Sequence, residues 1–234
     1  MGFSGQVVVV TGAGGNLGRT VATAFDAAGA FVVALDRTEA KLRSIFGHAN
    51  ERLLPLGADL TDSESVAHAI AAAAARLGRI DVLCNVAGGF RMGEPVHETS
   101  SDTWQVMLGL NAGSVINTAR AVVPRMLAAG RGKIVNVAAL AGLHGKAGMG
   151  AYCAAKSAVI RLTESMSAEL RERGINVNCV LPSALDTPEN RAAMPDADPS
   201  RWVAPAALAE VMLFLASEAA RAIHGAAIPV TGLS

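Results

Sequence analysis

Short, β-branched apolar runs alternate along this chain with longer segments whose apolar positions recur every three or four residues. The first run, Gln6 to Val10, is almost pure valine, which predicts a strand covered on both faces. It ends in Thr11-Gly12-Ala13-Gly14-Gly15-Asn16-Leu17-Gly18. A helical pattern from Arg19 to Ala28 follows, with Gly29 as its stop. A second strand, Phe31 to Leu35, ends at Asp36. Helix Glu39 to Phe46, strand Arg52 to Leu56, Asp59-Leu60 and helix Ser63 to Arg76 come next. Strand Asp81 to Asn85 leads into the loop Ala87-Gly88-Gly89 and a long helical region from Ser101 to Ala129. Strand Lys133 to Val137, helix Ala151 to Arg173 and strand Asn176 to Leu181 continue the alternation. Pro182 to Pro199 reads as irregular; helix Pro205 to Ser217 and strand Ala226 to Val230 close the chain. Seven strands and six helices in this order predict one α/β domain over 1–234, a doubly wound parallel sheet with helices on both faces. The loop over 182–200 exceeds an ordinary connection and reads as a substrate lid.

Composition narrows the class without changing the fold. The chain has 234 residues, 51% hydrophobic and 17% charged, with formal net charge zero. Scattered Lys and Arg leave no electrostatic footprint for nucleic acid or an anionic membrane. No apolar run approaches a membrane span, and Met1-Gly2-Phe3-Ser4-Gly5 lacks a secretory pattern. Cys84, Cys153 and Cys179 have no metal-ligand spacing; they read as buried thiols of a reducing, cytoplasmic compartment. No metal site is expected.

Three stretches carry chemistry. A strand, a glycine-rich turn and a helix start form a phosphate cradle, because glycines admit the pyrophosphate and free amides attract it. Asp36 lies 18 residues after Gly18, where a dinucleotide fold places the acid that accepts from the adenosine ribose hydroxyls. Arg37 beside it offers a charge to a 2′-phosphate, but Asp36 repels that group, so NAD is expected over NADP. Tyr152 is the sole tyrosine of the chain, and Lys156 follows at helical i,i+4 spacing. An ammonium there is expected to lower the phenol pKa from about 10 and make the pair an acid–base device.

The ordered set Thr11-Gly12 to Gly18, Asp59, Asn85-Val86-Ala87-Gly88, Asn111, Tyr152 with Lys156, and Pro182 to Thr187 resembles the short-chain dehydrogenase/reductase family over nearly the whole chain. The resemblance implies an oxidoreductase using NAD on a small carbonyl, alcohol or activated imine, and a homodimer or homotetramer. It places Gly12, Gly14, Gly15, Asn16, Leu17 and Gly18 at the pyrophosphate, Asp36 and Arg37 at the ribose, and Asp59 and Leu60 at the adenine. Asn85, Ala87 and Gly88 shape the cofactor loop, and Pro182 and Thr187 reach the carboxamide end. Lys156 holds the nicotinamide ribose, Asn111 supports a water chain to it, and Tyr152 passes the proton. Asn16 stands where a glycine is usual, tolerable because Asn accepts left-handed backbone angles; Ser183 likewise replaces a usual glycine. Ala139 replaces a serine that orients the reacting oxygen, a loss of about 10² to 10³ in rate for such a donor. That gap admits two alternatives: quinonoid dihydropteridine reduction, whose branch lacks this serine and matches parts of the lid, and a weakly active nucleotide-binding scaffold. A purely structural oligomer is a third class with no residue speaking for it. His144, Arg91 and His97 are minor substrate-side candidates, each more simply read as a surface residue.

Overall fold

The computed structural model describes residues 2–47 and 51–234; Met1, at the head of the N-terminal stretch read above, lies outside them. Valine and isoleucine runs become strands because branched side chains pack well on a pleated surface. The strands are β1 (Val7–Thr11), β2 (Phe31–Asp36), β3 (Leu53–Gly57), β4 (Val82–Asn85), β5 (Gly132–Val137), β6 (Ile175–Pro182) and β7 (Ala227–Val230). They form one sheet in the order β3-β2-β1-β4-β5-β6-β7, with every neighbouring pair parallel. The helices are α1 (Asn16–Ala27), α2 (Glu39–Phe46), α3 (Ser63–Leu77), α4 (Ser101–Leu108), α5 (Ser114–Ala129), α6 (Gly150–Leu170), α7 (Pro188–Ala193) and α8 (Pro205–Ala216).

Alternate strand positions feed opposite layers. Val8, Val10, Val32 and Ala34 pack under Phe25 of α1 and Met212 and Leu215 of α8. Val7, Val9, Val33 and Leu35 pack under Ile70 of α3 and Val122 and Met126 of α5. The chain winds outward from β1 in one direction and from β4 in the other, so a crevice opens at the carboxyl ends of these two strands. Thr11 pins its walls: its hydroxyl accepts from the amides of Val86 (3.0 Å) and Ala87 (3.1 Å).

Three expectations need correction. The helix read over Ser101 to Ala129 is two α-helices joined by a π-turn, Gly109–Gly113; the glycines at both ends admit the wider turn, a form common at functional sites. That joined stretch of 29 residues, mean hydropathy 1.2, is also long and apolar enough to cross a membrane by composition. Its polar interruptions, Asn111, Asn117 and Thr118, hid this in the sequence; in the fold Val122 and Met126 of α5 cover the sheet and Met107 of α4 packs against α6. The stretch Pro182 to Pro199 is not wholly irregular, because Thr187 caps α7 by accepting from the Asn190 amide at 3.2 Å and Pro188 suits the first helical turn.

Behind the crevice lies a buried polar chain. The Asn85 amide donates to Asn136 Oδ1 (2.8 Å), the Asn136 amide donates to Thr163 (2.9 Å), and Thr118 donates to Asn85 Oδ1 (2.8 Å). These bonds tie β4 and β5 to α5 and α6, the helices that carry the site. Replacing Asn136 with Ala orphans the buried Asn85 amide and takes a donor from Thr163, whose own bond to the Val159 carbonyl stays, so urea unfolding of Asn136→Ala should show a loss of about 2–4 kcal/mol.

Candidate active site

The glycine turn sits at the mouth of the crevice and leaves no room for side chains. A Cβ on Gly18 would lie 2.0 Å from the Gly12 carbonyl oxygen, and one on Gly12, whose φ is +64°, would lie 2.8 Å from Ala87 Cα. Close approach of bare backbone at the start of α1 is what a pyrophosphate needs. Leu17 is buried, and the α1 N-cap is Gly15 with no side-chain bond to its amides. Asn16 is the first residue of α1, and no described non-glycine residue has positive φ. The left-handed explanation for this substitution is therefore wrong: Asn16 is helical, and its amide donates to Glu189 of α7 at 2.6 Å.

Asp36, at the end of β2, folds back onto the turn. Its carboxylate accepts from the Gly14 amide (2.8 Å) and the Arg37 amide (2.8 Å), and Lys41 Nζ stands 3.9 Å away. The acid thus lies beside the cradle, with the exposed cations Arg37 and Lys41 flanking it. Asp59, after β3, is held below the usual carboxylate range by hydrogen bonds from the Thr61 hydroxyl and amide. Leu60 beside it is buried, and its carbonyl accepts from Asn117 at 2.9 Å.

Tyr152 and Lys156 share a face of α6 at the carboxyl end of β5. The Lys156 ammonium is buried, donates to the Val137 carbonyl at 2.9 Å and lies 5.9 Å from the Tyr152 ring centroid. Asn111, from the π-turn, meets it at Gly88: a Cβ on Gly88 would lie 2.7 Å from Asn111 Oδ1 and 3.2 Å from Lys156 Nζ. The Asn111 amide donates to the Gly89 and Met107 carbonyls (3.1 and 2.9 Å), which fixes the loop after β4. Burial pushes Lys156 down to about 8, with Cys179 opposing. The expected depression of Tyr152 is not produced: burial and the neighbouring Cys153 push its phenol up to about 12, because desolvation of a phenolate outweighs a cation beyond the ring. Among the described residues its hydroxyl has no hydrogen-bond partner, yet it is not sealed from solvent.

Ala139, at the end of β5, packs with Ala141, Cys153, Met149 and Tyr152, so no hydroxyl stands there. His144 is exposed, His97 pairs with Glu98 at 3.2 Å, and Arg91 pairs with Asp102 at 2.6 Å beside a cavity. Thr187 is spent on capping α7, and Pro182 ends β6. Sequence reasoning missed Phe90, whose ring stands edge-on to Tyr152 at 4.8 Å between centroids. Its only signal was an aromatic directly after two glycines at a strand's carboxyl end.

A parallel sheet wound outward from its switch point, with a bare glycine turn and an acid at one wall and a Tyr-Lys helix at the other, defines a dinucleotide-dependent oxidoreductase of Rossmann type. Residues 6–198 match the family model described as short chain dehydrogenase. The chain belongs to that family. It is 36% identical to meso-2,3-butanediol dehydrogenase of Serratia marcescens, over 99% of this chain and 95% of that one. Identity to cis-4-hydroxycyclohexanecarboxylate dehydrogenase of Sinomonas cyclohexanicum is 35%, over 98% and 96%. A solved short-chain type dehydrogenase/reductase from Mycobacterium ulcerans superposes with a TM-score of 0.93 at 26% identity, covering 100% of this chain and 90% of that one.

Two outcomes follow from the geometry. Asp36→Ala should remove the repulsion facing a 2′-phosphate and leave Arg37 and Lys41 to attract one, shifting the NADPH-to-NADH ratio of kcat/KM upward by tenfold or more. Lys156→Met should raise stability, because the buried ammonium costs free energy that one carbonyl only partly offsets. In Lys156 the folded pKa is depressed from 10.5 to about 8, so the unfolded chain binds more protons between those values. The cost is therefore full below pH 8 and fades as pH rises toward 10.5. Thermal or urea unfolding should give Lys156→Met an advantage of about 1–3 kcal/mol at pH 7, shrinking at pH 10.

Proposed function

We propose that the protein transfers hydride between a nicotinamide cofactor, NAD(H) by preference, and a small carbonyl or secondary alcohol. The observation that carries this reading is Lys156. A buried ammonium with one carbonyl partner weakens the fold, so its presence beside an unpartnered phenol is explained by chemistry rather than stability. Of the scaffold alternative nothing comparable can be said: a pure binder needs no such pair. The names of the relatives, dehydrogenases of secondary alcohols, agree with the reading.

The residues present suit the cofactor. The glycine turn gives backbone amides to its pyrophosphate, Asp36 takes the adenosine ribose, Asp59 and Leu60 border the adenine, and Lys156 takes the nicotinamide ribose. When bound, the nicotinamide gives or receives the hydride. Thr11 and Asn111 would hold the loop of Ala87 and Gly88 for it, Asn85 would brace the strand behind that loop, and Pro182 and Thr187 would position the lid. Tyr152 is neutral at physiological pH and so donates a proton to the forming alkoxide during reduction. In oxidation it must first lose that proton, which burial disfavours.

Quinonoid dihydropterin reduction remains a second reading on one observation, Ala139: without a second donor, an acceptor that is already activated reacts most readily. The protein is read as cytoplasmic, in keeping with three buried free thiols, and as a homodimer or homotetramer. The exposed Trp104 and Ile116 on the long helical stretch suit such an interface.

Tyr152→Phe should lower kcat by about 10² to 10⁴ with little change in the Kd for NADH. In the wild type, oxidative kcat/KM should climb with pH between 7 and 10, as phenolate forms, while reductive kcat stays flat below pH 8. A Tyr152→Phe protein with intact turnover, or an oxidative profile falling with pH, would refute the assignment.

A further inference from the structure

Resting on the oxidoreductase reading, we infer that the substrate side of this site is an apolar clamp, formed by Phe90 and Met149 around the Tyr152 hydroxyl. Its substrates carry apolar groups flanking the reacting carbon, and polyols are rejected. Phe90 is 54% exposed, an unusual position for a large apolar ring that is held edge-on against the chain's sole tyrosine. The loop that presents it is fixed by Asn111 through both the amide and the carbonyl of Gly89, so its place is built rather than incidental. Ala139, Ala141, Cys153 and Met149 pack together with Tyr152 and bring no hydroxyl of their own.

The adjoining cavity, about 210 Å³ and bordered by Met92 and Met149, extends this surface. Four polar side chains also border it, and each is already engaged within the protein. Arg91 pairs with Asp102 (2.6 Å), Glu94 accepts from the Ser100 amide (3.0 Å), Thr103 donates to Glu94 (3.2 Å), and Thr99 donates to the Pro95 carbonyl (3.2 Å). A substrate hydroxyl placed against Phe90 and Met149 would lose its water and find no polar partner on the ring or the thioether, a penalty of about tenfold or more in affinity for each such group. Methylene and methyl groups would instead meet an aromatic ring and thioethers.

The test separates binding from turnover. Calorimetric titration of the Tyr152→Phe protein, with and without NADH, compares cyclohexanol with inositol, a ring of equal size bearing a hydroxyl on every carbon. The expected result is cyclohexanol binding at least tenfold tighter than inositol, a preference reduced about tenfold in the Phe90→Ala, Tyr152→Phe protein and largely retained with Phe90→Leu. Equal or tighter inositol binding, no cyclohexanol binding, or a preference indifferent to Phe90→Ala would overturn the clamp. Wild-type turnover of 2-butanone against erythrulose gives the kinetic counterpart, expected to favour 2-butanone at least tenfold in kcat/KM. Absence of any carbonyl turnover would sink the oxidoreductase reading while leaving the binding comparison decisive for the clamp.

Discussion

A lysine ammonium buried where a β-strand ends is the constraint around which this molecule is arranged. Charge in a low-dielectric interior is costly, and Lys156 has only the Val137 carbonyl to offset it. Everything beside it makes room. Gly88 cannot carry a side chain without touching both the ammonium and Asn111, and Asn111 occupies a π-turn that interrupts an otherwise regular helical stretch. The polar chain through Asn85, Asn136, Thr118 and Thr163 then fixes β4, β5, α5 and α6 as one unit behind it. A fold selected only for stability would replace these groups with well-packed hydrocarbons. These groups gather instead at the sheet's switch point.

The same desolvation sets the character of the acid. Spacing alone suggested that Lys156 would make Tyr152 more acidic, but spacing on a helix says nothing about depth. Burial moves a phenol up and an ammonium down, so the two pKa values move apart, the phenol to about 12 and the ammonium to about 8. A neutral phenol suits proton donation rather than acceptance, and the packing around Tyr152, not the partner it faces, keeps it neutral.

What could be read from the chain without coordinates depended on how local the cause was. The strands were legible because a parallel sheet buried on both faces demands unbroken β-branched runs, and Asp36 was legible because a β-α-β unit has a nearly fixed length. Its contact with the Gly14 amide agrees with the position expected. The π-turn was not legible, since glycines flanking Asn111 are equally compatible with a plain helix. α7 was hidden among Pro182, Pro188, Pro195 and Pro199, which punctuate a loop and a helix start alike. The polar engagements of Arg91 and Glu94 arise from tertiary approach, and no periodicity announces them. Asn16 was read as a tolerated backbone oddity, when its side chain is what matters.

That side chain bears on how the cradle and the lid communicate. Asn16 begins α1, where the turn offers its amides, and Glu189 lies in the first turn of α7, whose cap is Thr187. Their hydrogen bond spans 173 residues of sequence, joining the start of α1 to the first turn of α7. A glycine at position 16 would leave the two walls to move independently. With asparagine there, a displacement of α7 away from α1 breaks this bond. The Asp186–Arg191 pair, at 2.6 and 2.9 Å, stiffens the same segment from its other side.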